Sequence, residues 1–162
     1  MNVKKPGSEE KKLILEQVDD NHKIPFELLE LADPSRSQIE EYIKTGQCYI
    51  AKLNSKLIGS IVLKELTPTT IEIKNIVVNE SFQNKGYGKQ LLRYVHEIAL
   101  RSMYKKIVIG TGNSSIKQLA LYQKEGFEIC RIEKDFFIDN YNQPFFENGI
   151  QCKHMIILEK EI

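Results

Sequence analysis

The chain has 162 residues, 41% of them hydrophobic, enough to bury one core and few for two independent domains. With 23 Lys and Arg against 22 Asp and Glu, the formal charge is +1 and there is no basic stripe or tail, which argues against nucleic acid as a partner. Cys48, Cys130 and Cys152 form no C-x-x-C pair and have no histidine at metal-ligand spacing, and no stretch holds the roughly 18 apolar residues of a membrane span, so neither a metal nor a membrane is expected and the expected setting is cytoplasmic.

Residues 1–11 are charged around Pro6, Gly7 and Ser8 and read as a flexible leader, leaving residues 12–162 as a single domain. Leu13 to Val18 reads as a short strand that Asp19-Asp20-Asn21 ends. Pro25 at a first helical position opens a short helix that stops before Asp33-Pro34. A second helix begins near Ser35 or Ser37, with Ile39, Tyr42 and Ile43 at helical spacing and Gly46 where a C-terminal glycine belongs. Cys48 to Leu53 and Leu57 to Leu66, joined at Asn54-Ser55-Lys56, predict a hairpin, and Thr70 to Val78 a third antiparallel strand after the Thr67-Pro68-Thr69 turn.

From Gly88 to Met103, the positions of Leu91, Leu92, Val95, Ile98 and Ala99 mark one face of the main helix. Lys106 to Gly110 is a β-rich run, and Ser115-x-x-Gln118 resembles a capping box opening a helix that ends at Gly126. Phe127 to Lys134 and Lys153 to Lys160 are closing strands on either side of a long loop. The order predicts a mixed α/β sheet covered on both faces.

One segment carries chemistry. Asn75 to Val78 is β-rich, and Asn79 to Lys89 then forms a polar turn with Gly86 and Gly88 at the head of an amphipathic helix. Glycines permit close backbone approach, free N–H groups at a helix start point at anions, and Lys85 and Lys89 add charge, so the turn suits a pyrophosphate. Taken alone it is also what any tight strand-to-helix turn looks like. It lacks the G-x-x-x-x-G-K-[ST] of a phosphate-binding loop of nucleotide hydrolases and the third glycine of the dinucleotide fingerprint, which argues against ATP, GTP and NAD.

The run Gln83-x-x-Gly86-x-Gly88 after a β-rich strand resembles the acetyl-CoA signature Q/R-x-x-G-x-G/A of the GNAT superfamily of N-acetyltransferases. Asn113 and the helix ending Leu121-Tyr122-Gln123-Lys124-Glu125-Gly126-Phe127 look like that family's second cofactor segment. The likeness runs from Lys12 to Ile162. Gly110 to Ser115 and the tail Glu147-Asn148-Gly149-Ile150-x-Cys152-x-x-Met155-Ile156 resemble a small bacterial subgroup. The resemblance implies an α/β fold with a mostly antiparallel sheet of about seven strands, a splayed fourth and fifth strand, and about four flanking helices.

The same resemblance implies an enzyme that passes acetyl from acetyl-CoA to a primary amine, on a small molecule or a protein, by direct attack in a ternary complex. It implies that the backbone of Ile76, Val77 and Val78 holds the pantetheine arm, with Val78 N–H or a neighbour as oxyanion donor. Gln83, Asn84, Lys85, Gly86, Tyr87, Gly88 and Lys89 would hold the pyrophosphate, with Asn113 and Ser115 as further cofactor contacts. Asn113 and Ser115 are equally suited to capping a helix. Glu72, eleven residues before Gln83, lies where some members place the general base; the alternative is a solvated carboxylate on a half-exposed strand. Tyr122 occupies the general-acid position, and a phenol is protonated at neutral pH and can donate to a thiolate; the alternative is a tyrosine packed in a helix face.

Asp135 to Glu147 is an aromatic-rich loop that could wall the acceptor pocket, its carboxylates attracting a cationic amine, or pack over the sheet end or a second subunit. His22, His96 and His154 are isolated and receive no role. A non-catalytic acyl-CoA-binding module is the competing reading, and the protein is expected to be a monomer or homodimer.

Overall fold

The computed structural model describes residues 12–162; the expected leader lies outside the described residues. Strand β1 (Ile14–Gln17) leads into two short helices, α1 (Phe26–Leu29) and α2 (Arg36–Ile43). Pro25 sits at the cap position just before α1 rather than inside it, and Ser35 caps α2 by accepting from the Gln38 amide at 3.3 Å. Gly46 lies beyond the α2 cap, and its role is space: a Cβ there would come within 2.7 Å of the Tyr42 carbonyl oxygen.

Strands β2 (Gln47–Leu53) and β3 (Lys56–Thr67) form a hairpin whose two turn residues, Asn54 and Ser55, have φ of 50° and 65°. β4 (Thr70–Val78) completes the meander, and α3 (Tyr87–Arg101) carries the chain over to β5 (Lys106–Gly112). α4 (Ile116–Lys124) and β6 (Glu128–Glu133) follow, then α5 (Phe136–Asn140), the small hairpin β7 (Phe146–Glu147) and β8 (Ile150–Gln151), and β9 (Met155–Glu161). Among the described residues the main sheet has seven strands in the order β1-β2-β3-β4-β5-β9-β6, antiparallel except for the β4/β5 pair.

Two cores cover the two faces. Leu91, Leu92, Val95 and Ala99 of α3 bury against Ile61, Leu63, Ile71, Ile73, Ile107 and Ile109, while Leu28, Leu29, Ile39 and Tyr42 of α1 and α2 bury against Cys48, Val62 and Val77. Each fully buried aliphatic side chain contributes about 1.5–3 kcal/mol, which is why the spacing of α3 translates directly into its orientation.

Strand β4 changes face partway along. Val62 opposes Asn75 and Leu63 opposes Ile73, so Lys74 has no partner and forms a bulge. Before it, Ile71 and Ile73 face α3; after it, Ile76 and Val78 pack toward α3 while Asn75 and Val77 turn to α1 and α2. β4 pairs with β5 only from Thr70 to Ile73, although β5 continues along β9 to Gly112. Downstream of Ile73 the two strands part, as the expected splay requires.

Two expectations are corrected. Ser115 precedes α4, but its side chain makes no cap hydrogen bond, because its backbone (φ −83°, ψ 66°) departs from the extended geometry of a capping box. The long loop is not structureless: it contains α5 and the β7/β8 hairpin, whose turn is Asn148 and Gly149 with φ of 54° and 72°, a pairing of residue types that favours such hairpins.

Candidate active site

At the head of α3, Gln83 N–H donates to the Glu80 carbonyl and Gln90 N–H to that of Gly86; the six amides between them, Asn84 to Lys89, have no acceptor among the described residues. Asn84 (φ 59°) and Gly86 (φ 84°) are left-handed, which turns successive N–H groups to one side, and open space lies within 4 Å of where a Gly86 side chain would stand. Gln83 donates from Nε2 to the Val78 carbonyl at 2.9 Å, tying the turn to the end of β4. The flanking lysines are occupied: Lys85 Nζ donates to the Ser81 carbonyl at 3.1 Å, and Lys89 Nζ lies 3.5 Å from Oε1 of Glu125, whose Oε2 Arg93 Nε approaches at 3.8 Å. The unpaired donors of this turn are therefore backbone amides more than lysine ammoniums.

The parting of β4 from β5 opens a cavity of about 350 Å³. Ile76 lines it, whereas Val77 packs under α1 and α2 and Val78 on the α3 side, so these two can serve only through backbone, which has no ladder partner on the β5 side here. Tyr122 lines the cavity at 5% exposure; its hydroxyl has no hydrogen-bond partner among the described residues, and its ring packs on Phe127. Burial pushes its pKa well above the ordinary phenol value, so the proton is held throughout the neutral range.

Ser115 also lines the cavity. Asn113 does something else with its side chain: Nδ2 donates to the Gln151 carbonyl (3.1 Å), and Oδ1 accepts from the amides of Lys153 (2.7 Å) and His154 (2.8 Å), which fastens β5 to the stretch before β9. Glu72 is not among the cavity-lining residues; it lies on the face away from α3 with Oε1 3.5 Å from Lys74 Nζ, and Lys74 is the one of the pair that lines the cavity.

Several lining residues lay outside the sequence reading of the site. Asn75, 4% exposed, donates to the Leu29 carbonyl (3.1 Å) and the Tyr42 hydroxyl (3.0 Å), and its Oδ1 is buried without a partner. Asp33 enters from the stretch between α1 and α2, accepting on Oδ1 from the Ser35 amide and the Tyr141 hydroxyl, each at 3.0 Å. Burial raises its pKa above the usual carboxylate value, opposed by the Ser35 amide, the phenols of Tyr141 and Tyr42, and the charge of Lys74. Cys152 lines the cavity as well, its thiol pKa raised by burial, so it holds no ready thiolate. Asp33-Pro34 read in sequence as helix punctuation and Asn75 as one position in a β-rich run; only the aromatic loop carried a signal for this wall.

Among the described residues no group of His, Cys, Asp and Glu is arranged to hold a metal, and no helix is long and apolar enough to cross a membrane.

The sequence pattern of the acetyltransferase (GNAT) family matches residues 15–127. The uncharacterized N-acetyltransferase YvbK of Bacillus subtilis (strain 168) is 48% identical over 147 residues, 91% of this chain and 95% of its own. A GNAT family acetyltransferase from Elizabethkingia anophelis, solved with acetyl-CoA bound, superposes with a TM-score of 0.90 at 50% identity, covering 93% of this chain and 98% of its own. A Bacillus subtilis acetyltransferase solved with CoA gives a TM-score of 0.88 at 46% identity, covering 93% and 99%. With the amide-lined turn on α3 and the parted β4/β5 pair in place, the chain belongs to the acetyltransferase (GNAT) family.

Proposed function

We propose that this protein transfers the acetyl group of acetyl-CoA to a primary amine that attacks directly within a ternary complex. The observation that carries the reading is the join of two features: six unpaired amides on the α3 turn, and a cavity between parted strands with a buried, protonated Tyr122 in its wall. The amides of Asn84 to Lys89 hold the pyrophosphate, and the open backbone of Ile76 to Val78 holds the pantetheine arm. Acetyl-CoA supplies an activated acyl carbonyl and a thiol leaving group. A Val78 or neighbouring N–H polarises the acyl oxygen, and Tyr122 provides the proton that leaves with sulfur. Glu72 accepts the amine proton through water, and the protonated Cys152 thiol is consistent with a route free of acyl-enzyme.

Acetyl-CoA consumption with a panel of polyamines, aminoglycosides, amino acids, arylalkylamines and peptides tests the reading. At least one amine should turn over, and Glu72→Gln should lower its kcat about 10²-fold if Glu72 is the base. A protein that binds acetyl-CoA and consumes no thioester with any of them would instead be an acyl-CoA-binding module.

Gly86→Ala probes the turn separately. An alanine at φ 84° costs about 1–2 kcal/mol, and relaxing that strain moves the amides apart. Acetyl-CoA should bind about 5- to 30-fold more weakly by calorimetry. Unchanged affinity would place the pyrophosphate elsewhere.

A further inference from the structure

The acceptor end of the cavity has a chemistry of its own. Its carboxylates are Glu30, Asp33 and Glu147, but Glu30 is bound to Arg36 at 2.9 Å. Asp33 has no Lys or Arg within 4 Å among the described residues, and its hydrogen bonds from the Ser35 amide and the Tyr141 hydroxyl both fall on Oδ1, with the Tyr42 hydroxyl and the Lys74 charge as its other polar neighbours. The Ser35 amide and Tyr141 hydroxyl therefore hold the carboxylate in place through Oδ1. Asn75 lines the same cavity, its Oδ1 buried and unpartnered and its amide nitrogen fixed on the Leu29 carbonyl and Tyr42. A buried carbonyl oxygen without a donor is costly, so a ligand N–H that reaches it would be favoured.

Beside these two acceptors the wall is aromatic. Phe137, Tyr141 and Phe145 lie with ring centroids 5.3–5.8 Å apart, and all three line the cavity. A charged, multiply hydrogen-bonding acceptor would leave polar groups unpaired against that wall, whereas an aryl or alkyl body would bury on it.

We propose that Asp33, held by Tyr141, is the counter-ion that seats the acceptor ammonium, and that the acceptor is a primary amine carried on an aromatic or aliphatic body. This rests on the function proposed above and adds the substrate class and the residue that selects it. Asp33→Asn is the informative variant, because an amide oxygen can still accept from Ser35 and Tyr141 while the charge is gone.

The test is calorimetric titration of 2-phenylethylamine into the CoA-saturated protein, a binding readout independent of turnover. The wild type should bind it more tightly than spermidine or a tripeptide. Asp33→Asn should weaken that binding about 10- to 100-fold, the range for a hydrogen bond to a charged group, with CoA affinity unchanged as the control for folding. Tyr141→Phe, which keeps the ring and frees the carboxylate, should weaken it several-fold. Equal amine binding by wild type and Asp33→Asn, loss in Glu147→Gln in place of Asp33→Asn, or a preference for spermidine or peptide each overturns this inference while leaving the transferase reading standing. Failure of CoA itself to bind would overturn both.

Discussion

Tyr122→Phe is expected to lower kcat about 10²–10³-fold while acetyl-CoA affinity changes less than about twofold. The phenol lines the cavity at 5% exposure with no hydrogen-bond partner among the described residues, so its removal leaves no neighbour unsatisfied. The ring contact with Phe127 survives the change. Stability should therefore move by less than about 1 kcal/mol, and the loss belongs to the reaction. Steady-state kinetics with the best amine of the panel, alongside calorimetry with acetyl-CoA, decide it. A variant with wild-type kcat would remove the proton-donor role and leave Tyr122 as core packing.

Deleting Lys74 should give the second large effect, and in the opposite place from where a deletion inside a central strand is usually felt. Ile73 opposes Leu63 and Asn75 opposes Val62, so without Lys74 the β3/β4 ladder becomes regular, and Asn75 to Val78 keep the faces they now have. The fold should survive. What goes is the bulge, and with it the local bend and extra twist at the point where β4 leaves β5. A strand that stays beside Gly110 to Gly112 closes the cavity, and misplacing a site by even an ångström costs about 10²-fold. Acetyl-CoA affinity and kcat/KM should fall by at least about that factor with the thermal transition retained, whereas Lys74→Ala, which keeps the residue count, should alter either by less than about threefold. Tight acetyl-CoA binding by the deletion variant would mean the strands part for another reason.

Local patterns made much of the fold legible. The α3 face of Leu91, Leu92, Val95 and Ala99 is buried as its spacing predicts, because one side of a helix is set by residues within a few positions of each other. The β-rich runs became strands for a similar reason. The bulge was not legible: the run from Thr70 to Val78 shows β-branched residues on both sides of Lys74, and a slip of one residue inverts every face after it without changing composition. The β7/β8 hairpin had its signal in Asn148-Gly149, hidden inside a stretch dominated by aromatics.

The site divides along the same line. The sequence by itself determined the glycine turn at the head of α3, since Gln83, Gly86 and the start of α3 are contiguous and their backbone geometry follows from residue type. It also placed Tyr122 in the helix that ends before Gly126, while its burial came from the packing of that helix. Only the tertiary structure decided that Asp33, Asn75, Tyr141 and Cys152 share one cavity, that Asn113 fastens the tail, and that Glu72 stands behind Lys74. Asp33 and Tyr141 meet across 108 positions of chain, and such a contact depends on how the sheet and its covering helices pack, which no window of neighbouring residues encodes.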